Sequence, residues 1–153
     1  MTQSRDIRDV STHIHRADRH FKVGNALHAA GDEWAVVCYF YSAYHTVKAA
    51  LLTDPVFSDL SALKSINANL TPDDRLSTRH QGIRGLNSPV LGINEIVALL
   101  YPSIAAEYRL LHTASVQVRY KDCLAMTLDD CRDYALLVRE AFDTGILVHN
   151  RKP

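Results

Sequence analysis

Apolar residues recur every three or four positions along most of this chain, and no stretch alternates convincingly at period two. Ile7, Val10, Ile14, Ala17, Phe21 and Gly24 trace one such stripe. They predict a first helix that begins near Ser4 or Ser11 and ends near Ala30. Gly31-Asp32 breaks it, and Asp32 is the expected N-cap of a second helix running to about Leu52. Residues 34–52 are apolar on most sides, which marks the central helix of a bundle.

Asp54-Pro55 ends that helix, and a loop is expected through Asn69. Thr71 then offers an N-cap, Pro72 a first helical position, and Asp73 and Asp74 an acidic first turn. This predicts a short third helix stopping near Gly85, with Leu76, His80, Ile83 and Leu86 or Asn87 facing inward. Residues 93–101 suggest one or two extra turns. A fourth helix after Pro102 carries Ile104, Tyr108, Leu111, Ser115 and Val118 on one face. Thr127 and Asp130 resemble a capping box opening a last helix, whose inward stripe is Leu128, Cys131, Ala135, Val138, Phe142 and Ile146. The expected fold is all-α: an up-and-down bundle of four main helices plus a short extra helix, one domain over residues 1–153. No repeat, low-complexity tract or linker divides it.

The 153 residues suffice to bury a core without staples. Seventeen basic and seventeen acidic residues cancel, so no global field draws the chain to nucleic acid or an anionic membrane, and any such contact must be local. Eight histidines make its charge sensitive to mild acid. Cys38, Cys123 and Cys131 show no CxxC or metal-finger spacing, and Cys38 lies in an apolar run where a buried thiol is expected. A reducing cytoplasm fits these thiols. The polar N-terminus has no signal core, and His45 and Lys48 interrupt the longest apolar run, so no membrane span is expected.

Candidate chemistry gathers where cationic or polar aromatic groups fall on the inward helix faces. These are His45 in the second helix and His112, Arg119 and Tyr120 in the fourth. His112, Ser115 and Arg119 form a line at i, i+3 and i+7. Such a seam suits an anion, though a cation near a helix C-terminus is also favoured by the dipole alone. His80 points inward, with Arg84 a turn further on, either as a satisfied core histidine or as an acid/base imidazole beside a phosphate. Asp9, His13, Arg16 and His20 share a face of the first helix, which reads as a solvated cationic surface or as part of a phosphate groove. None of Glu33, Glu95, Glu107 or Glu140 has a histidine three residues on, so no di-metal site is predicted. Phosphate-loop and nucleophile-elbow motifs are absent, and no cofactor is implied.

Three segments together resemble the HEPN domain family. They are residues 16–52, RADRHFKVGNALHAAGDEWAVVCYFYSAYHTVKAALL, then STRHQGIRGL at 77–86, and AEYRLLHTASVQVRYKD at 106–122. The resemblance covers most of the chain. It implies a small helical bundle, a homodimer, and binding of RNA or a nucleotide. It also implies metal-independent endoribonuclease activity of the toxin or defence kind, with a nucleotidyltransferase or antitoxin as a possible partner. The family's nuclease motif is Arg, four to six residues, then His, and Arg75-Leu-Ser-Thr-Arg-His80 matches that spacing with Leu76 in a position usually polar. By that resemblance His80 and Arg75 are catalytic, while Arg84, Arg119, Tyr120, His112 and His45 hold phosphate or nucleotide. Five residues of a regular α-helix turn through about 140°, so Arg75 and His80 share a site only if the helix start is irregular. The alternative is a non-catalytic dimerisation or protein-interaction module, and a nucleotide sensor is a third reading.

Overall fold

The structure, a computed structural model, describes residues 9–83 and 90–149. The described residues form six α-helices: α1 Val10–Ala29, α2 Ala35–Thr53, α3 Leu60–Ile66, α4 Ile93–Leu100, α5 Ala105–Tyr120 and α6 Leu128–Asp143. The fold is an all-α helical bundle. Among the described residues the only extended pairing is a lone antiparallel bridge between Ile83 and Val90.

Helix α2 is the axis of the molecule. Its Ala, Val and aromatic side chains are buried on nearly every side, and α1, α5 and α6 all pack against it. Tyr39, Phe40, Val47 and Leu51 of α2 meet Tyr108 and Leu111 of α5 and Cys131, Ala135 and Val138 of α6 in one core cluster. Cys38 is buried, as its apolar surroundings predict. The α1–α2 turn closes at Gly31, whose φ of +70° suits glycine. Asp32 is not the N-cap expected of it: its carboxylate accepts the Trp34 N–H at 2.9 Å within the turn, and Trp34 itself caps α2 without a side-chain bond. At the other end of α2 Asp54, itself buried, accepts from the Val56 N–H, the Tyr101 hydroxyl and the His149 N–H, tying three segments to one carboxylate.

Several expectations need correction. The third helix does not form: Pro72–Leu76 is a single 3-10 turn with the Thr71/Asp74 capping box, and the chain from Ser77 onward is irregular. The start signal is real, but Ser77 and Thr78 leave the helical path and the apolar periodicity after Leu76 is too short to hold another turn. The supposed loop over 54–69 instead holds a 3-10 turn at Pro55–Ser58 and α3, whose Asp59 cap accepts the Ala62 N–H at 2.9 Å. Ile146 lies beyond the end of α6 and is exposed, and Leu147 takes the buried place. The α1 face expected to be solvated is divided, with His13 buried, His20 half-buried and Arg16 exposed. The predicted first-helix start near Ser4 and Arg84 lie outside the described residues.

Candidate anion site between helices two and five

Helix α2 presents Phe40, Tyr41, Tyr44 and His45 along one side, and α5 brings His112, Ser115 and Arg119 opposite. The irregular segment after the 3-10 turn lays His80 between them. The His80 ring lies 5.3 Å from Phe40, 5.3 Å from Tyr44 and 5.0 Å from His112. His112 in turn sits 5.2 Å from Phe40.

His80 is held by its backbone. The first N–H groups of α4, which have no partner inside their own helix, donate to this segment: Ile93 to the Arg79 carbonyl at 2.6 Å and Asn94 to the His80 carbonyl at 3.0 Å. Glu95 accepts the N–H groups of Gly82 and Gly92 at 2.9 and 3.0 Å. Buried Lys48 of α2 donates to the Ser77 carbonyl. The two strands of this loop run so close that a Cβ on Gly92 would overlap the backbone of Gln81. Gly92→Val is therefore expected to force them apart, costing about 1–3 kcal/mol in urea denaturation. It should also shift the His80 ring resonances while leaving helix content by circular dichroism unchanged.

The polar groups of the site are paired only in part. The Asn94 amide nitrogen lies 2.9 Å from His112 Nδ1, and the Ser115 hydroxyl donates to the His112 carbonyl at 2.9 Å. Arg119 folds back on its own helix, donating to the Ser115 carbonyl and hydroxyl at 3.2 and 3.3 Å, and its guanidinium lies 5.2 Å from the Tyr120 ring centroid. No carboxylate pairs with Arg119 among the described residues. Two buried atoms at the site, His80 Nδ1 and Asn94 Oδ1, have no hydrogen-bond partner there.

Burial pushes the His80 imidazole down to about 4, and the neighbouring His112 and Arg119 add to the effect. His112 is lowered for the same reasons, burial first and Arg119 second. Both rings are therefore neutral near pH 7, each with one nitrogen able to accept a proton. Among the described residues no carboxylate offsets the charge of Arg119, and a bound anion would raise both imidazoles toward their ordinary range.

A cavity of about 720 Å³ opens beside this cluster between α4 and α5, lined by Gln81, Asn94, Glu95, Arg109, His112 and Thr113 among others. Its floor is made by small side chains of both helices, Ala98, Ala105 and Ala106.

A second group of rings adjoins the first. His45 Nδ1 lies 2.9 Å from His13 Nδ1, and His20 stacks on His45 with centroids 5.4 Å apart and planes 6° from parallel. Burial, then His13, His20, Arg16 and Lys48, press His45 down to about 3. Tyr44 joins the two groups, 5.1 Å from His45 and 5.3 Å from His80.

The residues singled out in the sequence thus fare differently. His80, His112 and Arg119 converge. His45 stands one ring away. Tyr120 is 73% exposed and meets the site only through Arg119. Arg75 is exposed on the 3-10 turn, and the arginine whose charge reaches His80 is Arg119. The irregular path the motif required does occur at Ser77–Arg79. Asn94 was not anticipated, because nothing in its local sequence marks it and only the docking of α4 on α5 brings it to His112. His13 and His20 were visible as a helix face, but their approach to His45 depends on the α1–α2 packing. Among the described residues no three His, Cys, Asp or Glu side chains are placed to share a metal ion, and no helix is long and apolar enough to cross a membrane.

Comparison with protein families, with curated proteins and with solved structures returns no match.

Proposed function

We propose that this protein binds the phosphate of RNA or of a nucleotide between α2 and α5, as a HEPN-like domain would. The observation that carries the reading is the convergence of His80, His112 and Arg119 with no opposing carboxylate among the described residues. A guanidinium without a carboxylate beside a buried imidazole nitrogen without a hydrogen bond is costly in a packed seam, since buried polar atoms are normally satisfied. The unpartnered His80 Nδ1 supports the same reading.

If the bound RNA is cleaved, neutral His80 takes the proton of a ribose 2′-hydroxyl as that oxygen attacks the adjacent phosphorus. The 2′-O–P bond forms, the P–5′-O bond breaks, and the leaving oxygen takes a proton from water. Arg119 steadies the charge that develops on the phosphate oxygens. Arg75 and Arg84 are the further cations that the HEPN resemblance would supply.

Dimerisation belongs to the same proposal, with an up-and-down order of α1, α2, α5 and α6. Leu110 of α5 and Leu136 and Leu137 of α6 are exposed on helices that pack together, which also favours the alternative of a plain interaction module. A nucleotidyltransferase or antitoxin partner follows from the HEPN resemblance alone.

The test is a calorimetric titration with adenosine monophosphate together with an RNA-cleavage assay. Arg119→Ala is expected to weaken nucleotide binding by about 10- to 150-fold, the range for losing a hydrogen bond to a charged group. Wild-type protein that binds no nucleotide and leaves RNA intact would hand the argument to the interaction module.

A further inference from the structure

We infer that the outer face of α1 is a second phosphate-holding surface, so that the ligand is a single RNA strand several nucleotides long rather than a mononucleotide. This rests on the reading of His80, His112 and Arg119 as a phosphate site and names what else that ligand touches.

Arg16 and Arg19 lie one turn apart on α1, both exposed, and with Ser11, Thr12 and His15 they line a depression of about 390 Å³. Neither arginine has an ion pair among the described residues. The acidic groups of the helix are already engaged elsewhere. Asp9 caps α1, accepting from the Ser11 N–H and from the Ser11 and Thr12 hydroxyls. Asp18 faces α6, where Arg139 donates to it at 2.5 Å. Arg132 and Arg139, by contrast, are both paired with carboxylates. Among the described residues no carboxylate takes up the α1 arginines, which leaves them for an outside anion.

A run of rings connects this face to the first site. The charge of Arg16 reaches His20 and His45. From His20 the steps lead to His45 at 5.4 Å, Tyr44 at 5.1 Å, His80 at 5.3 Å and His112 at 5.0 Å. His20, Tyr41, Tyr44 and His80 are half-buried, so part of each ring meets the surface. Among the described residues the permanent charges that His20, His45 and His80 feel, those of Arg16, Arg19, Lys48 and Arg119, are all cationic. Cationic ends joined by half-exposed rings suit a polyanion whose bases stack between its phosphates, worth about 1–3 kcal/mol per base. A mononucleotide carries its phosphate at one end and leaves Arg16 and Arg19 unused.

The experiment compares adenosine monophosphate, by calorimetry, with a 2′-O-methylated RNA of about ten nucleotides, by fluorescence anisotropy across a salt series. The strand is expected to bind at least about tenfold tighter than the mononucleotide. In the double variant Arg16→Ala/Arg19→Ala the slope of log affinity against log salt should flatten by about 1.4, about 0.7 for each lost phosphate contact on a single strand. Affinity for the mononucleotide should not change, and both side chains are exposed, so the melting temperature should hold. If the mononucleotide binds but the strand binds no tighter, or the slope is unaltered in the double variant, the α1 surface is refuted while the first site stands. If neither probe binds, the phosphate reading itself fails and this inference falls with it.

Discussion

Stability is expected to fall steeply as pH drops from about 6.5 toward 5, above the range where carboxylates titrate. An unfolded imidazole takes up its proton near pH 6.5, whereas the folded chain holds His45 near 3 and His80 near 4. Between those values the unfolded chain binds protons that the folded chain refuses, so stability rises with pH across this window. It is fully present above the unfolded value and is lost as pH falls toward the folded ones. Each fully shielded imidazole can contribute a slope of up to about 1.4 kcal/mol per pH unit, and half-buried His80 contributes less because water screens it. His20 and His112, lowered mainly by burial, act in the same direction. The combined loss is a few kcal/mol, a large share of the ~5–15 kcal/mol that holds a typical domain. Urea denaturation between pH 5 and 7.5 measures it directly, and His45→Gln should flatten the curve. A level profile over that interval would mean that these rings are already charged in the folded state.

His80 gives the other large effect, and there stability and function should move in opposite directions. His80→Phe removes a buried nitrogen that has no partner among the described residues and keeps a ring against Phe40 and Tyr44. Relieving an unsatisfied buried polar atom is worth about 1–3 kcal/mol, so this variant should melt higher than wild type. If the protein cleaves RNA, His80→Phe and His80→Ala should each slow cleavage by about 10²- to 10⁴-fold, the usual contribution of a positioned acid or base. Growth arrest on over-production, where seen, should vanish with either variant. An ordinary core histidine would behave otherwise, with both substitutions lowering the melting temperature and leaving nucleotide binding intact. A residue that costs stability while serving the ligand is the familiar trade between the two.

The positions sequence reading got right share one trait. Helices α1, α5 and α6 carry three-to-four periodicity over several turns, α2 is apolar on nearly every side, and local signals such as Gly31, Pro102 and Thr127 stand near their ends. Thr127 accepts the Asp130 N–H at 3.0 Å, a contact three residues apart that the local chain decides. The same reading failed where local signals and tertiary packing disagree. The Thr71-Pro72-Asp73-Asp74 run starts a turn as promised, yet Lys48 and the N-terminus of α4 draw the following residues off the helical path by binding the carbonyls of Ser77, Arg79 and His80.

For the candidate site the division is sharper. His112, Ser115 and Arg119 share a helix face by spacing alone, so their grouping could be read from the chain. His80 beside His112, Asn94 against His112 and His13 against His45 unite residues 32, 18 and 32 positions apart, and no periodicity encodes such meetings. The amino-acid order by itself set the helical class, the inward faces and the absence of net charge, because hydrophobic period and charge count are local or additive quantities. Which imidazoles lose their water, and which cations they then face, was decided only when α1, α4 and α5 closed on α2. Desolvation and charge proximity depend on three-dimensional distance, not on distance along the chain.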